Sequence, residues 1–177
     1  MIKIVDYDPA WPIQAAAAIA EFAPALSGVV AEIEHIGSTA VPGLAAKPTI
    51  DLMAAAPLLG PVAARAERLA ALGYHPHDNG MRDRLLYVRF DGPSRSHILH
   101  VVTLASWPTR NQRLLRDYLR CHPAEAERYG RLKKELAAAG THPADYAAAK
   151  TGLIQELTDR ARAEAGLPSI PVWEKGA

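Results

Sequence analysis

The strongest constraint on the fold is a change of pattern in mid-chain. Short runs that begin with β-branched residues and stop at glycine or proline are confined to the part before Leu104, and long helical runs take over from Thr109. VVAEIEHIG reads as a strand ending at Gly37, and TIDLMAAA as a second strand stopped by Pro57. RLLYVRF and SHILHVVTL, separated by DGPSR, read as an antiparallel hairpin, because Asp-Gly-Pro is turn chemistry. Ile2 to Val5 fits a short strand, Asp8-Pro9 with Pro12 opens an alanine-rich helix to about Leu26, and a further helix runs from about Gly60 to Leu72. Beyond Thr109, NQRLLRDYLRCH, PAEAERYGRLKKELAAAG and PADYAAAKTGLIQELTDRARAEAG are three helices. Pro123 and Pro143 occupy first-turn positions, and Gly140 and Gly166 mark C-termini. The pattern predicts an α+β class: a mixed, mainly antiparallel sheet with helices on one side, followed by a C-terminal helical bundle.

Length and composition limit the organisation. With 177 residues, 49% hydrophobic and 22% charged, two large domains are excluded and a single core is well supplied. The expected layout is one domain over 1–166, its sheet-containing part about 1–105 and its helical part about 109–166, with 167–177 as a loosely ordered tail. A net charge of +1 gives no long-range field to draw the chain onto nucleic acid. Cys121, the single cysteine, excludes an intrachain disulfide and a cysteine zinc site, which fits a reducing cytoplasm. No apolar stretch approaches the ~20 residues of a membrane span. The reading is a soluble, cytoplasmic protein without a membrane partner. Sheet edges could pair across a dimer, but nothing in the sequence requires it.

Chemistry is concentrated in Glu34-His-Ile-Gly-Ser-Thr-Ala-Val-Pro-Gly-Leu-Ala-Ala-Lys-Pro-Thr-Ile-Asp51. A Gly-Ser pair leaving a strand lets backbone amides and a hydroxyl approach an anion, so Gly37, Ser38 and Thr39 are candidates to hold a phosphate. Lys47 would add a point charge, and Asp51, on the next strand, could hold the divalent ion that accompanies phosphates. The plain alternative is a tight turn with Ser38 as a cap and Lys47 solvated. A carboxylate inside an otherwise apolar strand is costly without a partner, and this favours the functional reading of Asp51.

Over nearly its whole length the chain resembles the GrpB family, bacterial proteins predicted to have a nucleotidyltransferase fold and sometimes found fused to dephospho-CoA kinase. The likeness is carried by Tyr7-Asp-Pro-Ala-Trp-Pro12, His35-Ile-Gly-Ser-Thr-Ala-Val-Pro-Gly-Leu-Ala-Ala-Lys-Pro48, Asp51, His97-Ile-Leu-His-Val101, Arg116-Asp-Tyr-Leu-Arg120, and Tyr146 with Lys150. The resemblance implies a mixed sheet in which the Gly-Ser turn carries nucleotide phosphates and an Asp-x-Asp pair on the next strand binds magnesium. Here the second acidic position is Met53. Residues 51 and 53 share a strand face, and one carboxylate beside a thioether is a poor magnesium site. Mg2+ is therefore expected to bind weakly, through Asp51 and Glu34, and only with a nucleotide present.

His97 and His100 are three apart in a strand and so fall on opposite faces. His100 is the candidate to share the face of Asp51 as a proton acceptor; His97 and His35 are further candidates, each with a core-histidine alternative. Arg113, Arg116 and Arg120 form a helix stripe that reads either as a solvated face or as a source of phosphate contacts, with Arg116 the candidate. Arg84 on the hairpin, and Lys150 in the last helix, carry the same two readings. Two functions follow: metal-dependent transfer of a nucleotidyl group from a nucleoside triphosphate to an acceptor, with Asp51 and His100 catalytic, or noncatalytic binding of a nucleotide, coenzyme or phosphorylated metabolite. A folding scaffold is disfavoured, since the sequence has no long heptad pattern.

Overall fold

Among the described residues, five strands form one mixed sheet: β1 (Glu32–Ile36), β2 (Ile50–Ala56), β3 (His75–Pro76), β4 (Arg84–Asp91) and β5 (Ser94–Thr103). Their order is β1-β2-β5-β4-β3. The β2–β5 pair is parallel and every other pair is antiparallel. The computed structural model describes residues 3–78, 80–81 and 83–172. The hairpin forms where Asp-Gly-Pro predicts it, and the mixed sheet with its helices bears out the α+β reading.

The chain divides into two units that interleave along the sequence. A sheet unit contains Ala10–Ile36 and Thr49–Pro108; a helical unit contains the described residues up to Pro9, Gly37–Pro48, and the described residues from Thr109 onward. The Gly-Ser loop thus belongs with the C-terminal helices, although in sequence it lies between two strands.

In the sheet unit, α1 (Ala10–Phe22), α2 (Leu59–Ala63) and α3 (Ala66–Ala70) pack on one face. That face is apolar where alternation puts Leu52, Ala54, Leu99 and Val101, all fully buried. Phe22 meets Tyr74 edge-on at 5.6 Å, and Tyr74 meets His97 edge-on at 6.1 Å. The helix expected from Gly60 to Leu72 is two short helices. Around Arg65 the backbone bonds shift to three-residue spacing, Arg65 N to Val62 O and Arg68 N to Arg65 O, while the Arg65 side chain donates to the Ala25 carbonyl at 3.2 Å.

The helical unit is built from α4 (Asn111–Cys121), α5 (Pro123–Ala138) and α6 (Pro143–Glu164). Its core joins Tyr118, Leu119, Ala126, Tyr129, Leu157 and Ala161 to Val41 and Leu44 of the loop, so the loop is anchored by burial rather than draped over the helices. The strand expected at Ile2–Val5 is, in the described part, a single bridge from Val5 to Ala46; Ile2 lies outside the described residues. Lys134 of α5 pairs with Asp6. In the described part of the segment after Gly166, the Gln155 side chain of α6 donates to Ile170 O and accepts from Val172 N, both at 2.9 Å. Trp173–Ala177 lie outside the described residues. Among the described residues, no helix is long and apolar enough to cross a membrane.

His97 gives the sheet unit a pH dependence. Burial, with the Arg89 guanidinium nearby, holds its imidazole below the ordinary value of 6.5 despite the opposing Glu21 carboxylate. The unfolded chain then takes up this proton first as the pH falls, so stability present above about pH 6.5 is lost progressively until the folded imidazole also protonates. Urea midpoints should be lower at pH 5 than at pH 7.5, and the gap should narrow in His97→Gln. An unchanged gap would show that other groups set the acid limb.

Candidate functional site

The turn after β1 needs a residue without a side chain. Gly37 has φ 74° and ψ −171°, a conformation essentially restricted to glycine. It leads into one tight turn of helix, Ser38–Ala40, in which Thr39 and Ala40 are buried. Two helices of the same unit grip this turn. From α4, Arg120 Nε donates to the Ala40 carbonyl at 2.8 Å; from α5, Lys133 Nζ donates to Ser38 Oγ at 2.9 Å.

Lys133 is the residue that the sequence reading missed. It is only 3% exposed, and its ammonium also lies 4.4 Å from the centroid of the Tyr129 ring. The buried stripe of α5 is Ala126, Tyr129, Gly130 and Lys133, at the i, i+3, i+4, i+7 spacing of a core-facing helix. A lysine on that stripe was the available signal. Gly130 lets the helix come close to the loop: a β-carbon there would stand 3.4 Å from Leu44 Cδ1 and 3.5 Å from Ala45 N. Accepting a bond from Lys133 leaves the Ser38 hydroxyl its own hydrogen to donate.

Of the other candidates in this unit, Arg116 is buried, with its Nε 2.8 Å from Asp117 Oδ1, while the exposed Arg120 makes the contact to the turn. Lys47 and Lys150 meet at a third place, the Tyr146 ring.

The sheet unit supplies a separate polar face. In register across the sheet, Glu34, Met53, His100 and Leu86 form one row, and Ile36, Asp51, Ile98 and Val88 the next. Arg84 lies on the same face, opposite Val102. The register therefore places Asp51, Glu34, His100 and Arg84 on one side of the sheet. His35 and His97 lie on the other side; His97 there meets Tyr74, and its Nδ1 is 3.0 Å from Ser96 Oγ. Glu34, Asp51 and His100 are half-buried. Arg84 is buried, with its Nε 3.0 Å from Asp83 Oδ1.

Met53 is fully buried in an apolar cluster with Ile36, Ala55, Val102 and Trp107. The second acidic position of the motif is thus a packing position in this chain. Asp51 and Glu34 are diagonal neighbours, about 7–8 Å apart at Cα. Among the described residues, no group of three or more His, Cys, Asp or Glu side chains is placed to hold a metal ion. Two hard carboxylates suit magnesium where waters or a ligand's oxygens complete its six-coordinate shell.

Met53→Asp should therefore destabilise the fold by several kcal/mol, because it sets a carboxylate in an apolar cluster, while Met53→Leu should cost less than about 1.5 kcal/mol. Chemical denaturation of both variants checks this. Equal stability of the aspartate variant would mean that the position is hydrated.

The family described as GrpB protein matches residues 1–160. A UPF0157 protein of Pseudomonas aeruginosa is 37% identical over 180 residues, spanning 96% of this chain and 71% of the relative. A UPF0157 protein of Halalkalibacterium halodurans is 30% identical over 163 residues, spanning 92% and 83%. The crystal structure of conserved protein GrpB from Enterococcus faecalis matches with a TM-score of 0.84 at 30% identity, over 93% of this chain and 99% of that one.

Proposed function

We propose, for a chain that belongs to the GrpB family, that its helical unit binds a nucleotide or related phosphorylated small molecule at the Gly37–Ser38 turn. The observation that carries this reading is the 2.9 Å contact between the buried Lys133 ammonium and Ser38 Oγ. A charge withdrawn from water beside a glycine-shaped turn is poised to meet a phosphoryl oxygen, which would take over part of its solvation. Ser38 donates its hydroxyl hydrogen to a second oxygen of the same group, and Lys133 both positions that hydroxyl and supplies charge. Arg120 keeps the turn in shape through the Ala40 carbonyl.

Asp51 and Glu34 are the residues that would hold a magnesium ion. When bound, that ion would neutralise charge on a phosphate group brought to this face of the sheet unit, the charge stabilisation that nucleotidyl transfer needs. In this reading Asp51 is the principal ligand, and His100, on the same sheet face, accepts the proton of an acceptor hydroxyl. Noncatalytic binding is the second reading, favoured by the burial of Met53, which leaves the strand one carboxylate short of a two-metal set.

Calorimetric titration with ATP and magnesium, paired with a pyrophosphate-release assay, tests both readings. ATP should bind, and Lys133→Gln should weaken it at least tenfold, about 1.4 kcal/mol. Ser38→Ala serves as a second variant should the lysine change disturb the fold. Turnover lost in Asp51→Asn supports transfer; binding with no pyrophosphate release from the unchanged protein supports the noncatalytic reading. Unaltered ATP affinity in both Lys133→Gln and Ser38→Ala would overturn the phosphate site.

A further inference from the structure

At the start of α4 the helical unit buries a cation that has only neutral partners. Arg162 of α6 is 4% exposed. Its Nη1 donates to Asn111 Oδ1 at 2.9 Å and to Thr109 O at 3.1 Å, and its Nε donates to Pro168 O. Among the described residues the guanidinium pairs with no carboxylate, and its Nη2 has no hydrogen-bond partner. Asp159, one turn earlier on α6, accepts from Gln155 and Ser169 instead. A guanidinium taken out of water without a counter-ion is costly. The first-turn N–H groups of α4 add positive potential, since they have no partner within the helix. Asn111, the first residue of that helix, is 6% exposed, and its Nδ2 donor is buried without a partner. This orphan donor stands two covalent bonds and one hydrogen bond from Arg162 Nη1.

We infer that the start of α4 is a site for a small inorganic oxyanion of the phosphate class, closed by the tail after Gly166, whose Pro168 carbonyl takes the place of one anion oxygen. Nε and Nη2 form the side-on fork of a guanidinium, which suits two oxygens of one anion. A single carbonyl fills half of that fork here, and Nη2 is left over. Asn111 Nδ2 and the first-turn N–H groups supply further donors from the side of α4. Because Arg162 and Asn111 are almost wholly buried, the site suits a free small anion and not the body of a nucleotide. The tail that closes it runs back along α6: Pro168 lies on Arg162, Ser169 on Asp159, and Ile170 and Val172 on Gln155. Tail and anion therefore compete for one fork. The site shares no residue with the Ser38 turn.

The test is thermal unfolding of the full chain with rising inorganic phosphate, against chloride at matched ionic strength. It is run in a Ser38→Ala background, so that the turn does not contribute. Phosphate should raise the midpoint by several degrees, and the gain should saturate, as mass action requires of a site and as a general salt effect does not. Asn111→Asp supplies a carboxylate beside Arg162 and should abolish the gain. Gln155→Ala loosens the tail at Ile170 and Val172, so the phosphate concentration for half the gain should fall several-fold. This exposed-side change carries the test if the Asn111 variant does not fold. No saturable gain, a full gain in Asn111→Asp, or a half-gain concentration unchanged or raised in Gln155→Ala would overturn the site. The ATP titrations of Lys133→Gln and Ser38→Ala read the other turn, so either site can fail without the other.

Discussion

A lysine ammonium withdrawn from water is costly unless polar groups replace its hydration, and Lys133 is withdrawn almost completely. Its contact with Ser38 Oγ and its place over the Tyr129 ring join α5 to the Gly-Ser turn. The rest of the helical unit is arranged around that junction: Arg120 of α4 holds the turn's last carbonyl, Leu44 and Val41 fill the core between the helices, and the loop ends at the Tyr146 ring of α6. Gly37, in a conformation other residues avoid, makes the sharp exit from β1 possible.

The sheet unit follows a simpler rule. Alternation sorts one face to the helices and the other to a polar set, and register then fixes the neighbours. Asp51 and Glu34 sit diagonally, Met53 separates Glu34 from His100 along a row, and the thioether is sealed by Trp107 and Val102. The second acidic position of the motif is filled here by a core side chain.

Much of this was legible in the sequence because the signals are local. Asp-Gly-Pro fixes the hairpin, Pro57 stops β2, and Pro123 opens α5; the three-residue spacing of His97 and His100 separates them by face. What was not legible depends on contacts distant in the chain. Lys133 looked like one more charge in Arg-Leu-Lys-Lys-Glu, since only the burial of Ala126, Tyr129 and Gly130 marks its side of the helix as the inner one. Arg116 and Arg120 both fitted the phosphate stripe, but packing buried Arg116 beside Asp117 and sent Arg120 to the turn. The loop itself, bracketed by strands, gave no sign that it belongs to the helical core, because Val41 and Leu44 are two apolar residues among many.

Phosphate binding by the helical unit depends on the Ser38–Lys133 contact being a phosphate seat. The most direct measurement is a crystal structure of the protein grown with magnesium and a nonhydrolysable ATP analogue. A phosphoryl oxygen within hydrogen-bond distance of both Lys133 Nζ and Ser38 Oγ is the predicted result. A nucleotide bound elsewhere, with the Lys133–Ser38 bond intact and no phosphate beside it, would contradict a phosphate seat at this turn.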